Sequence, residues 1–443
     1  LQKEEERMYD YRYEPHRLIF MIDNKSFYAS CECLRLGLNP MTTALAVLSH
    51  QPDSDEQSSL IMAASPLAKK KYGLTNVMRA RDLPPKSQRE DLLLVEPHMN
   101  LYIEKSMEVL DIFRKYAAEE DIHTYSIDES MIDMTESWHL FGTDPYLVGR
   151  KIQKEIKEKL GLYTTCGIGE NPLLAKLAMD IDAKKRWSMI AFWHYIDVPD
   201  TIWQIKNLED VWGINKSTAQ RLKKLGINDM NELAHCNPEK LKSEFGIIGE
   251  QLFAISWGVD RSIIRYKYKP KRKSFGNSQI LMRDYLGQRE IEIVIREIAE
   301  QVAARIRKHK LLTSCISLHI GFSKLKNNKR NGINASKKIT ATNDNIALTT
   351  ELRSLFRKYW NGEAVRTISI SYSDLLPDIE QQLDLFSDPA KQIKRKNFDY
   401  VIDSLREKYG PTSLVKASSL LPGATAIRRA NLVGGHNGGK IYD

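Results

Sequence analysis

The chain has 443 residues, 42% of them apolar, which is too long for one compact domain and rich enough for several cores. A net charge of +9 and a pI near 9.0 suit a polyanionic partner. No apolar run reaches the roughly 20 residues that span a bilayer, no signal-peptide pattern opens the chain, and five dispersed cysteines argue for a reducing compartment, expected to be cytoplasmic, against a disulfide framework.

The chain begins at Leu1 rather than Met, so a lost native start is expected. Residues 1–16 are polar and Tyr-rich without a period and read as a tail or an added arm. Residues 17–23 predict a strand: the apolar run Leu18-Ile19-Phe20-Met21-Ile22 ends on Asp23, and residues 27–35 begin a helix. Short strands are predicted at 44–48 and 60–63 around a polar loop, then a basic helix at 67–72 that stops at Gly73. Residues 92–95 read as a buried strand, and 102–116 show helical apolar spacing. After Tyr125-Ser126-Ile127-Asp128-Glu129-Ser130 comes a return strand at 131–134, with Asp133 in a structural role. An amphipathic helix at 145–160 and a strand at 164–169 follow, and Asn171-Pro172 opens a helix through Ala183.

From about residue 200 the elements become short helices. Val211-Trp212-Gly213-Ile214-Asn215-Lys216 precedes a helix at 218–225 and then Gly226-Ile227, a helix-hairpin-helix pattern. Its backbone N–H groups can face a phosphate, which marks Gly213, Ile214 and Lys216 as DNA contacts. Residues 266–274, YKYKPKRKS, form an extended basic linker carrying Lys271, Arg272 and Lys273. A second α/β unit then places Ile291, Ile295, Ile298, Val302 and Ile306 on one helical stripe, with strands at 314–321 and 365–372. The loop between those strands holds Lys324, Lys326, Lys329, Arg330, Lys337 and Lys338.

Asp128 and Glu129 carry the chemistry. Adjacent side chains on a regular strand point to opposite faces, so this pair converges on one ion only where the strand ends or turns. If the strand ending on Asp23 is a neighbour, three carboxylates form an oxygen-only site suited to Mg²⁺.

Met21-Ile22-Asp23-Asn24-Lys25-Ser26-Phe27-Tyr28 and the YSIDES hexapeptide together resemble the two catalytic motifs of Y-family translesion DNA polymerases, in particular the catalytic subunit of bacterial DNA polymerase V (UmuC type). The resemblance implies a multidomain α/β (α+β) right hand. Its parts would be a tail at 1–16, a palm at 17–37 and 96–190, fingers at 38–95, and a thumb with helix-hairpin-helix at 191–262. A basic linker at 263–274, a little finger at 275–376 and a C-terminal tail at 377–443 complete it. Two Mg²⁺ ions would sit on Asp23, Asp128, Glu129 and the main-chain carbonyl of Asn24, serving nucleotidyl transfer from a dNTP to a primer 3′-OH. Tyr28, with Phe27 beside it, would form the nucleotide pocket, Tyr28 being the steric gate against a ribose 2′-OH and Phe27 reading also as a core residue. Lys70 and Lys184, the latter preferred over Lys185, would touch the triphosphate. Gln382-Leu383-Asp384-Leu385-Phe386 resembles the bacterial sliding-clamp-binding pentapeptide, with Leu385 and Phe386 in an apolar pocket and Gln382 at its rim. Residues 395–443 resemble the polymerase V extension, from which contact with SOS accessory proteins is expected. No second acid cluster reads as a proofreading exonuclease, so fidelity should be low. The competing readings are a catalytically silent, clamp-tethered DNA scaffold and another palm-type nucleotidyl enzyme such as a cyclase.

Overall fold

The apolar run before Asp23 becomes the middle strand of the first sheet. A computed structural model describes residues 9–49, 59–270, 272–323, 331–379 and 389–439. Strand β1 (Ile19–Asn24) is followed by a turn in which Ser26 adopts φ +49°, ψ +46°, and this left-handed residue redirects the chain into helix α1 (Phe27–Arg35). Strands β2 (Leu45–Ser49) and β3 (Leu60–Ala64) come next, then helix α2 (Pro66–Tyr72), capped by Ser65 and stopped by Gly73 at φ +64°. With β4 (Leu93–Val95) they form a small sheet of order β3-β2-β4. The expected buried strand at 92–95 is corrected: Leu92 is buried, but Leu93 and Leu94 are exposed, because β4 is an edge.

Helix α3 (Met99–Phe113), strands β5 (Ile122–Thr124) and β6 (Glu129–Asp133), helix α4 (Pro145–Leu160), strand β7 (Thr164–Gly169), helix α5 (Pro172–Leu177) and strand β8 (Ile190–Trp193) complete the first sheet. Its order is β5-β6-β1-β7-β8, with β1 antiparallel to both β6 and β7. Alternation along β1 sorts its two faces. Phe20 and Ile22 pack with Tyr102, Phe113, Ile152 and Ile168, whereas Ile19 and Met21 pack with Met131, Ala175 and Met179. The helix expected through Ala183 ends at Leu177 and continues as a π-turn, Ala178–Asp182.

Helices α6 (Lys216–Lys224), α7 (Met230–Ala234), α8 (Pro238–Phe245) and α9 (Ile247–Ser256) surround a core with Trp203, Leu222, Leu233, Leu252 and Trp257. Residues 9–16 dock against this unit rather than trailing as a tail. Tyr11 stacks on Tyr195 with centroids 4.6 Å apart and donates to Trp257 O at 2.9 Å, and buried Glu14 pairs with Arg261.

The second α/β unit comprises β9 (Phe275–Tyr285), α10 (Gln288–Lys308), β10 (Leu311–Phe322), β11 (Gly332–Thr342), α11 (Asn345–Tyr359) and β12 (Val365–Pro377), in an antiparallel sheet of order β11-β10-β12-β9. Lys337 and Lys338 therefore lie on edge strand β11, not in a loop; lysine on an edge discourages further pairing. Helix α12 (Pro389–Tyr409) packs on α10. This corrects the tail expected at 377–443. Buried Arg307 joins them: it donates to Asp403 Oδ2 at 2.6 Å and to Asn343 O at 2.7 Å. A short helix α13 (Ala426–Arg429) and a hairpin of β13 (Leu432–Val433) and β14 (His436–Asn437) then return to the first part of the molecule. There Asn100 N donates to Gly438 O at 2.9 Å, Asn437 Nδ2 to Glu96 at 3.2 Å, and Ser49 Oγ meets His436 Nδ1 at 2.8 Å. Among the described residues no helix is long and apolar enough to cross a membrane.

Removing the Arg307 side chain leaves Asp403 and Asp399 without their cation. Arg307→Ala should destabilise the unit by about 3 kcal/mol in urea melts and raise amide hydrogen exchange along α12; an unaltered melt with unaltered exchange would show that α12 is held by other contacts.

Candidate active site

Register assembles the site. Antiparallel pairing sets Asp23 opposite Glu129 on one side and opposite Thr165 on the other, so the three side chains share one face at the end of the sheet. Asp128 lies just before β6, in a tight turn. Ser126 Oγ donates to Asp128 Oδ1 at 2.7 Å and accepts from Glu129 N at 3.1 Å, while Tyr125 N and Ser126 N both donate to Glu129 O. Glu129 thus belongs to the strand and Asp128 to the turn, which resolves the opposite-face problem of adjacent residues. Asn24 N and Nδ2 donate to Asp128 O at 2.8 and 3.3 Å and tie the turn to the end of β1. Asp133 is structural, accepting from Thr135 Oγ1 at 2.6 Å.

Helix α5 lies directly on β7. A Cβ on Gly167 would sit 2.1 Å from Ala175 O, and one on Gly169 would sit 2.3 Å from Ala175 N, so only glycine permits this approach. The approach delivers two lysines. Lys176 donates to Glu129 Oε1 at 2.7 Å and lies 3.1 Å from Asp180. Lys184, carried on by the π-turn, donates to Asp180 Oδ1 at 2.8 Å and stands 3.8 Å from Asp23 Oδ2. Lys184 rather than Lys185 thus reaches the acids.

Asp23 is largely buried, and burial pushes its pKa up to about 7; Lys184 pulls the other way, and the charges of Asp128 and Glu129 add to the rise. Burial outweighs the nearby ammonium. Among the described residues no group of three or more His, Cys, Asp or Glu side chains forms a ready-made metal cage; Lys176 and Lys184 stand at Glu129 and Asp23. The donor set nevertheless fits a hard cation. It is all oxygen, it includes an acid held back from ionising chiefly by burial, and the buried Oγ of Thr165 and Oδ1 of Asn24 have no hydrogen-bond partner.

Burial and the charge of Asp128 raise the Tyr28 phenol pKa, so its hydroxyl lies within electrostatic reach of Asp128. Of the two readings of Phe27 the core one holds and the pocket-lining one is corrected: at 2% exposure it packs with Phe20 and Ile22, because one residue along a helix rotates the side chain by about 100°. The finger lysine also shifts. Lys69 and Lys70 are both exposed, but the Lys69 ammonium lies where partial desolvation lowers its pKa and it feels Asp23, Lys184 and Lys25, while Lys71 pairs with Asp91 at 2.7 Å. Lys69 and Lys176 were not singled out from sequence. Lys176 carried a signal, since it interrupts the apolar run Leu173-Leu174-Ala175 and Leu177-Ala178-Met179.

At the hairpin, Gly213 takes φ +94° and Asn215 caps α6 through Thr218 N at 2.9 Å, with Lys216 exposed at its start. Ile214 is corrected as a phosphate contact: its side chain is buried and its N–H donates to Val211 O at 3.0 Å. Trp212 Nε1 donates to Tyr125 OH at 3.0 Å, joining the hairpin to the acidic turn. Arg272 and Lys273 are exposed; Lys271 and the clamp-type residues Gln382, Leu383, Leu385 and Phe386 lie outside the described residues.

The chain matches the impB/mucB/samB family over residues 22–180, the C-terminal domain of that family over 272–385, and the IMS family HHH motif over 197–227. It is 38% identical to a relative in Bacillus subtilis (strain 168) with the provisional name UV-damage repair protein UvrX, over 97% of this chain and 100% of that protein. It is 31% identical to DNA polymerase IV 2 of the same organism, over 95% and 98% of the two chains, and 30% identical to DNA polymerase IV 2 of Halalkalibacterium halodurans, over 95% and 99%. A solved Y-family DNA polymerase chimera, Dbh-Dpo4(243-245)-Dbh, shares the fold with TM-score 0.64 and 19% identity, covering 81% of this chain and 99% of that one.

The folded pKa of Asp23, about 7, lies above the roughly 3.9 of an unfolded chain. The folded state holds this proton longer, so stability falls as pH rises from about 4 to about 7 and the loss is complete above that range. Asp23→Asn removes the loss. In chelator at pH 8 the variant should melt several degrees above the parent, with the gap closing toward pH 4; identical melting at both ends would show that Asp23 is not destabilising.

Proposed function

The chain belongs to the impB/mucB/samB family of Y-family DNA polymerases, and on that footing we propose that it is a low-fidelity, template-directed DNA polymerase of DNA damage tolerance. It would join the α-phosphate of a dNTP to a primer 3′-OH and release pyrophosphate. The observation that carries the reading is the convergence of Asp23, Asp128 and Glu129 at one end of the first sheet, with Lys184 beside Asp23.

Asp23, Asp128, Glu129 and the carbonyl of Asn24 are the residues that would hold the metal. Two Mg²⁺ ions, when bound, supply activation of the primer hydroxyl and neutralisation of the triphosphate charge. The chain's own groups do the positioning. Lys184 and Lys69 present ammonium charge on the acid side of the pocket, where a triphosphate needs it. Lys176 offsets Glu129, one of three acids crowded together. Tyr28 serves as the sugar gate at the start of α1. Gly213, Lys216, Arg272 and Lys273 would follow the duplex backbone, and no base-specific contact is needed for that role. Gln382 to Phe386 would tether the enzyme to a sliding clamp, raising local concentration without a new catalytic group.

One observation favours the alternative of a silent scaffold: Glu129 is already neutralised by Lys176 at 2.7 Å. Primer extension with Mg²⁺ separates the two. The parent should extend, and Asp128→Ala should lower the rate by at least about a thousandfold; equal extension by both would overturn the assignment of the acids, and none by either would favour the scaffold. In the same assay, replacing Leu385 and Phe386 with Ala should abolish stimulation by the clamp while leaving distributive synthesis intact. Undiminished stimulation would retire the tether.

A further inference from the structure

Tyr28 is supported by a second, hidden tyrosine. Helix α1 sets Tyr28 and Glu32 one turn apart on the same face. Tyr102, on α3, meets both. Its ring stacks on that of Tyr28, with centroids 4.4 Å apart and planes 15° from parallel, and its hydroxyl donates to Glu32 Oε1 at 2.7 Å. Tyr102 and Glu32 are both completely buried. Glu32 also accepts from His98 Nδ1 at 2.9 Å and from Arg35 Nε at 2.8 Å. Phe27 flanks the stack, its centroid 6.5 Å from Tyr102 and 6.0 Å from Tyr28.

We infer that Tyr102, held by Glu32, is a positioning residue for sugar selection, fixing the plane of the Tyr28 ring; the inference rests on Tyr28 being the gate. The circuit closes on itself: a ring stack from Tyr28 to Tyr102, a hydrogen bond from Tyr102 to Glu32, and one helical turn from Glu32 back to Tyr28. Burying a carboxylate destabilises a fold unless donors surround it, and Glu32 has three. An apolar residue in place of Glu32 would fill the same volume, but it would leave the Tyr102 hydroxyl without its acceptor and the ring free to rock. Rejecting a single hydroxyl demands a gate placed to within a fraction of an ångström, since small displacements at a reacting pocket change rates severely. Full burial prevents Tyr102 from touching nucleotide itself, so its effect must pass through Tyr28.

The test measures kcat/KM for single dNTP and rNTP additions by full-length Tyr28→Ala, Tyr102→Leu, Tyr102→Phe and the Tyr28→Ala/Tyr102→Leu double variant. Tyr102→Leu should raise the rNTP-to-dNTP ratio about tenfold, with dNTP kcat/KM within about threefold of the parent. Tyr102→Phe keeps the stack and loses the hydrogen bond, so it should move the ratio the same way by less. With Tyr28 already removed, Tyr102→Leu should add nothing to the ratio, because the two residues act as one unit. If Tyr28→Ala loses sugar selection while both Tyr102 variants keep the parental ratio, the inference is overturned and the gate stands. If Tyr28→Ala also keeps the ratio, the gate reading itself falls and takes this inference with it. Should Tyr102→Leu fail to fold in a thermal melt, Tyr102→Phe decides: a raised ratio supports the role and a parental one overturns it.

Discussion

Register between β1 and its two neighbours is the constraint on which the site depends. A strand alternates faces with period two, so a slip of one residue would carry Asp23 to the face now filled by Phe20 and Ile22 and bury a carboxylate in aliphatic packing. The apolar run ahead of Asp23 prevents this from both sides, since Ile19 and Met21 face one core and Phe20 and Ile22 another. The same residues that stabilise the sheet therefore aim its acids. Gly167 and Gly169 extend the logic to the lysines, because any side chain there would lift α5 away and withdraw Lys176 from Glu129.

Electrostatically the site is under-neutralised. Asp23, Asp128, Glu129 and Asp180 face Lys176 and Lys184, with Lys69 more distant, and burial still wins over attraction at Asp23. Such an arrangement makes sense for a pocket that has to accept further positive charge and then a polyphosphate. Acids too well paired would not exchange partners during turnover. The π-turn at Ala178–Asp182 contributes here, since Asp180 within it bonds both lysines while Lys184 stays long enough to reach Asp23.

Much of this was legible in the residues. The YSIDES hexapeptide and the run ending at Asp23 marked the acids and the strands that carry them, because apolar alternation and turn-forming Ser126 are local signals. What stayed hidden depended on geometry that local patterns do not encode. On a helix, Lys69 and Lys70 differ by about 100° of rotation, and the docking of α2, not its composition, decides which one faces the acids. Strand β11 carries period-two alternation, with Ile333, Ala335 and Ile339 toward the core, but Lys337 interrupts it on the inward side and beside Lys338 gives the segment the look of a basic loop. The docked arm at 9–16 and helix α12 looked like polar tails because their anchors, Trp257 and Arg307, lie far away in the chain.

Among the described residues, the returning hairpin at 432–437 gives the second α/β unit a second mooring. The first is the basic linker, whose Arg265 pairs with Asp121 at 2.8 Å; the second is the stretch reaching Glu96, Asn100 and Ser49. A body on one flexible cord can tumble in any direction, whereas a body held at two separated points swings about the line joining them, like a door on its pins. Any travel of this unit toward or away from the acids should follow a single arc.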